Sequence, residues 1–176
     1  MLKLLTMKNL LTLLSTIIIL CTAGCQKEKL TKETQNGANT FSCTINGKVF
    51  KPCKGSGLFS TNPLFGGVLI SGSTSVSIYA QCFDSDPERE INIELENFKG
   101  IGEYLLNSSN NFCRLSEYNP LKKYSSSVTQ KGKVVITKDD RINYVLSGTF
   151  EFEAANLNDA NDRVKVESGR FDISYK

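Results

Sequence analysis

The side chains able to do chemistry in this 176-residue chain are six cysteines and 18 carboxylates, with no histidine. The lack of imidazole removes Ser-His-Asp and Cys-His catalysis, His-ligated zinc and proton transfer through His near neutral pH. Carboxylates remain. Asp84, Asp86, Glu88 and Glu90 cluster around Pro87, and Asp139 and Asp140 are adjacent. Two carboxyl groups facing each other in a walled, partly dry cleft can hydrolyse a glycosidic bond. In a turn the same residues cap their own backbone and stay solvated. Both groups sit in turn-like sequence, so no catalytic residue is assigned and the chain is not expected to be an enzyme. Asn158-Asp159-Ala160-Asn161-Asp162 offers oxygens to calcium but lacks the EF-hand ligand spacing and its glycine. A loop before the last strand is expected there, with no metal and no cofactor.

The cysteines divide into two sets. Cys43, Cys53, Cys82 and Cys113 are widely spaced without a CxxC pair, which argues against a zinc cluster. Their even number suggests two disulfides, with three pairings open, in a chain that reaches an oxidising compartment. Cys21 and Cys25 belong to a different context. Lys3 and Lys8 precede an apolar run of 11 residues, Leu10 to Leu20, which ends in Thr22-Ala23-Gly24-Cys25. A transmembrane helix needs about 20 apolar residues. The layout is that of a signal peptide over residues 1–24: basic start, apolar middle, small residues at the border. Ala23-Gly24-Cys25 resembles a lipobox, which implies diacylglyceryl attachment at Cys25 and a membrane anchor. Gln26 to Thr40 is polar without an apolar period, and a flexible tether is expected over residues 25–40.

Removing residues 1–24 takes two lysines and no acid, and leaves 152 residues with 19 basic and 18 acidic side chains. That length suits one domain with a real core, residues 41–176. The near-zero charge and the absence of a basic patch exclude nucleic acid as an expected partner. There is no tryptophan, which lowers the expectation of a sugar-stacking platform.

The elements that must position these residues are strands. FSCTINGKVF alternates, and Asn46-Gly47 specifies a two-residue hairpin turn that puts Cys43 opposite Phe50. SVSIYAQCF and INIELENF alternate cleanly, and a long strand is expected from Ile142 to Ala154 with Ile142, Tyr144, Leu146, Phe150 and Phe152 facing in. In the last strand the apolar face flips around Glu167-Ser168-Gly169, which predicts a β-bulge. Arg170, next to it, is expected to point inward, where it would need a partner and could mark an anionic ligand. The Gly/Ser/Pro-rich loop 54–67 carries Leu58, Phe59, Leu64 and Phe65. Those four either plug the open end of the sheet or offer a ligand or partner surface. No helical period is convincing. The fold class is all-β: an antiparallel meander of about eight to ten strands, closed as a barrel or folded as a sandwich.

GANTFSCTINGKVFKP, LSGTFEFEAAN and SGRFDISY resemble a family of small uncharacterised Bacteroidota lipoproteins with a single all-β domain. The resemblance implies a lipobox, a polar tether and an outer-membrane location, on the periplasmic face or the cell surface. It implies no catalytic role. The expected function is binding or interaction, with a small apolar molecule, a glycan or an envelope protein as partner. The alternative is a structural subunit without a small ligand.

Overall fold

The computed structural model describes residues 29–55, 62–71 and 73–176. The signal segment, Cys25, Leu58 and Phe59 lie outside the described residues. Eleven strands follow in chain order: β1 (Thr40–Ile45), β2 (Lys48–Phe50), β3 (Leu64–Ser71), β4 (Ser73–Cys82), β5 (Glu88–Leu95), β6 (Gly102–Leu105), β7 (Asn111–Tyr118), β8 (Lys122–Ser125), β9 (Lys131–Asp140), β10 (Val145–Asn156) and β11 (Asp159–Ser174). One helical turn, Ser126–Thr129, lies between β8 and β9. All strand pairs in the sheet are antiparallel. The excess over eight to ten comes from short strands in the Gly- and Asn/Ser-punctuated stretches, where period-two patterning is too brief to read.

The main path of pairing is β2-β1-β11-β10-β8-β7-β5-β4-β3, and β9 with β6 branches from β10. β10 is the branch point. From Val145 to Glu153 its edge holds β9. At Ala155 and Asn156 the same edge pairs with Ser125 and Tyr124 of β8. The two arms fold over one core that mixes Phe41 of β1, Ile78 of β4, Ile93 of β5, Ile136 of β9, Phe150 of β10 and Ile173 of β11. Each fully buried aliphatic or Phe contributes about 1.5–3 kcal/mol. The hydrogen-bonded sheet does not close on itself. Instead the end strand β3 packs against the residue after β11: a Cβ on Gly67 would lie 2.4 Å from Cβ of Tyr175.

Several local expectations hold. Asn46 and Gly47 both take positive φ, at 48° and 78°, and Cys43 pairs with Phe50. The bulge in β11 is present: Phe150 pairs with Gly169 and Phe152 with Val166, so Glu167 and Ser168 together oppose Glu151. The long strand begins later than its apolar pattern suggested. β10 starts at Val145, and Ile142 is 87% exposed. The Asp140 carboxylate accepts hydrogen bonds from the N–H groups of Ile142 and Asn143 and from Asn143 Nδ2, which fixes residues 141–144 as a turn. Tyr144, expected inside, is half exposed in that turn.

Candidate functional site

The tether expectation is corrected from residue 31 onward. Residues 31–39 form a strap held against the outer face of β1, β10 and β11. Thr31 donates its N–H to Ser42 Oγ at 3.0 Å, and the two hydroxyls share a hydrogen bond at 2.8 Å. Lys138 Nζ donates to the Gln35 carbonyl at 3.0 Å. Gly37 and Asn39 adopt φ of 75° and 53° and turn the chain back into β1. The φ at residue 37 favours glycine, and a Cβ there would stand 3.1 Å from Val145 Cγ2 and 3.2 Å from Ser174 Cβ, tight enough that those side chains would have to give. Polar composition concealed this segment, because its attachment is by hydrogen bonds rather than by a buried apolar face.

The anchor of the strap is Asp172, on the outer face of β11 and only 1% exposed. Its carboxylate accepts from Thr34 Oγ1 at 2.6 Å, from the N–H groups of Asn36, Gly37 and Ala38 at 2.9–3.1 Å, and from Ser147 Oγ at 2.7 Å. Burial by itself would push this carboxyl up. The hydrogen bonds from Thr34, Ala38, Ser147 and Gly37 outweigh it and hold the group at about 2.

Two residues upstream on the same face lies Arg170. The sequence suggested that it points inward; instead it pairs across from Ser42 and Thr149 on the outer face, beneath the strap. Its Nη1 donates to the Thr31 carbonyl at 3.2 Å and lies 3.4 Å from Glu33 Oε1. Its Nε is buried without a hydrogen-bond partner among the described residues. Arg170 lines two adjoining cavities of mixed polar and apolar character, about 370 and 330 Å³, which together form a groove under the strap. Glu33, Thr149 and Arg170 line both cavities; Lys133 and Ser168 line the first, Lys32 and Thr137 the second.

The other sequence-derived candidates are scattered. Cys53 and Cys82 form a disulfide, and Cys43 and Cys113 are free thiols in the core, so at least one bridge forms but not the two that the even count suggests. Burial pushes the Cys43 thiol up; burial, reinforced by Cys43 and Glu94, does the same for Cys113. Both are inert as nucleophiles in this state. Leu64 and Phe65 belong to β3 rather than to a loop, and alternation sends them to opposite faces. Leu64 is 8% exposed and joins the core. Phe65 is 46% exposed and stacks on Tyr79 with ring centroids 4.9 Å apart. The described pair therefore forms neither a shared plug nor a shared surface.

Of the clustered carboxylates, Asp84 and Asp86 lie in the bend between β4 and β5, whereas Glu88 and Glu90 fall on β5, Asp139 and Asp140 end β9, and Asp159 and Asp162 stand in the start of β11 rather than in the expected loop. Ser85 ties the bend between β4 and β5 through the carbonyls of Cys82 and Pro87. Asp139 pairs with Arg141. Asp162 accepts from Lys122 Nζ at 2.9 Å, Asn156 Nδ2 at 3.0 Å and the Tyr124 hydroxyl, which pins β8 to the β10–β11 hairpin. Among the described residues no group of three His, Cys, Asp or Glu side chains could hold a metal ion. Among them, too, no helix is long and apolar enough to cross a membrane.

The family described as a domain of unknown function, DUF6252, matches residues 40–172. The chain belongs to this family. No curated protein and no solved structure matches it. The match to DUF6252 takes in the sheet and both Arg170 and Asp172, while residues 31–39 of the strap precede it.

Proposed function

We propose that this protein is a lipid-anchored envelope protein that works by binding rather than by catalysis. The observation that carries the reading is the strap. Thr31 is already fastened to Ser42, so only residues 26–30 separate Cys25 from the folded domain. Five residues reach at most about 18 Å. An acylated Cys25 would hold the groove close to the membrane surface, with the strap as both groove wall and tether root. The signal layout of residues 1–24 supports the anchor, and the resemblance to Bacteroidota lipoproteins supports the outer membrane as its location.

The lack of histidine and the commitment of Asp139, Asp140 and Asp162 to local structure support binding over hydrolysis. A second reading, docking of an envelope protein, draws on the exposed Ile70, Ile101 and Ile142. Phe98 links their neighbourhoods, since its N–H donates to the Thr74 carbonyl and its ring lies under Arg141.

Mass spectrometry on protein isolated from its native host tests the proposal. Under denaturing conditions the expected mass is that of a chain starting at an acylated Cys25. An unmodified chain starting elsewhere would overturn the anchor. Alkylation of the denatured chain should label two thiols before reduction and four after it. Extra mass present only under native conditions is the signature of a bound ligand. Its absence, with a protein partner recovered instead, would favour the docking reading.

A further inference from the structure

The groove beneath the strap has a chemical preference that can be read from Arg170, and this inference rests on the binding reading above. Arginine presents a planar fork of donors that matches a carboxylate or phosphate through two parallel hydrogen bonds. Here Nη1 donates to the Thr31 carbonyl, with Glu33 at a loose 3.4 Å. The Nε–H, on the other edge of the guanidinium, is sealed from solvent and has no partner among the described residues. Leaving a buried donor unsatisfied is unfavourable, and in a native fold it calls for a reason. Two residues away, Asp172 has five donors on one carboxylate. The same strap therefore satisfies one charge fully and the other only in part.

Glu33 is well placed to be displaced. It is two-thirds exposed, at 66% of its side chain, and no other ion pair is formed by it among the described residues. It sits on the short span between the fastened residues Thr31 and Thr34. The remaining charges lining the groove nearly cancel. Lys133 is paired with Glu103 at 3.1 Å and stands across from Glu151, and Lys32 stands beside Glu33. Arg170 is the cation of the groove that carries a buried donor without a partner among the described residues.

We propose that the groove is an oxyanion site. A carboxylate or phosphate group displaces Glu33 from the Arg170 guanidinium and, as the strap shifts at this end, reaches the Nε–H now sealed beneath it; Glu33 is the internal competitor until that anion arrives. Thr149 and Ser168, which both line the groove, supply neutral hydroxyls for the remaining oxygens. The anion is either a free metabolite-sized molecule or the headgroup of an anionic lipid, since the short tether brings the groove near a bilayer.

The test uses the chain isolated from its host, held in nanodiscs of phosphatidylcholine, with the Arg170 Nε–H resonance followed by NMR. In one arm inorganic phosphate is titrated in. In the other, phosphatidylglycerol replaces part of the lipid and no phosphate is added. Saturable movement of the resonance in the phosphate arm alone assigns a free anion; movement in the lipid arm assigns a headgroup; both outcomes support the site. Glu33→Gln removes the competitor and should tighten phosphate binding about threefold. Arg170→Lys should weaken it by roughly tenfold or more.

An unmoved resonance in both arms would overturn the assignment. So would phosphate binding that Glu33→Gln leaves unchanged, which also decides the matter if Arg170→Lys does not fold. A native-mass ligand that survives Arg170→Lys would keep the binding reading and remove the oxyanion site.

Discussion

The two ends of the strap are fastened to the same strand face in different ways. At the downstream end, Asp172 gathers five donors, is sealed from solvent and lies far below the usual carboxylate range. At the upstream end, Arg170 has one firm hydrogen bond, one loose ion pair and one orphaned N–H. A buried charge whose partners are complete is structure: disturbing it only loses stability. A partly buried charge whose partners are incomplete retains capacity for another molecule. The contrast assigns the downstream end to folding and the upstream end to binding.

The largest expected effect comes from removing the anchor. Asp172→Ala leaves several donors without an acceptor and should cost about 3 kcal/mol in urea unfolding, with the strap amides losing protection. Equal stability would break the comparison at its stronger end.

The pH dependence is smaller. The folded pKa of Asp172, about 2, lies below the ordinary value of about 3.9. Its contribution is therefore fully present above pH 4 and is lost as the pH falls from about 4 towards 2. The step should amount to about 2 kcal/mol and vanish in Asp172→Ala. Gly37→Ala must place a side chain at positive φ against Val145 and Ser174. It should cost about 1–2 kcal/mol in the same unfolding assay. Glu33→Gln should change stability by less than about 0.5 kcal/mol, because an exposed ion pair contributes little. A large loss there would mean that the upstream end is structural as well.

Much of the inner face was legible in the sequence, and little of the outer face was. Phe41, Cys43 and Ile45, or Ile91, Ile93 and Leu95, alternate with the pleat, and apolar side chains have one way to face. The bulge was legible because it reverses that alternation between Val166 and Phe171. The start of β10 was not, because Asp140 wins residues 141–144 for a turn through local hydrogen bonds that period-two patterning does not register.

Arg170 is visible in the sequence as a charge near a bulge, and it faces outward because the bulge changes parity between Val166 and Phe171. Nothing in the sequence marks Asp172. A carboxylate in a strand looks like a solubility residue until the chain that covers it is in place, and that chain lies 134–138 residues away in sequence. The free pair Cys43 and Cys113 shows the limit of cysteine counting, since an even number says nothing of which thiols meet.

The central claim is that the strap is locked at Asp172 and open to exchange at Arg170, and native-state amide hydrogen exchange tests it most directly. The N–H groups of Asn36, Gly37 and Ala38 should exchange only on global unfolding, at the rate of core amides such as Ile93. Those of Lys32 and Glu33 should exchange orders of magnitude faster, and should slow when phosphate is added. Fast exchange along the whole strap would contradict the account, because residues 31–39 would then be a free tether after all.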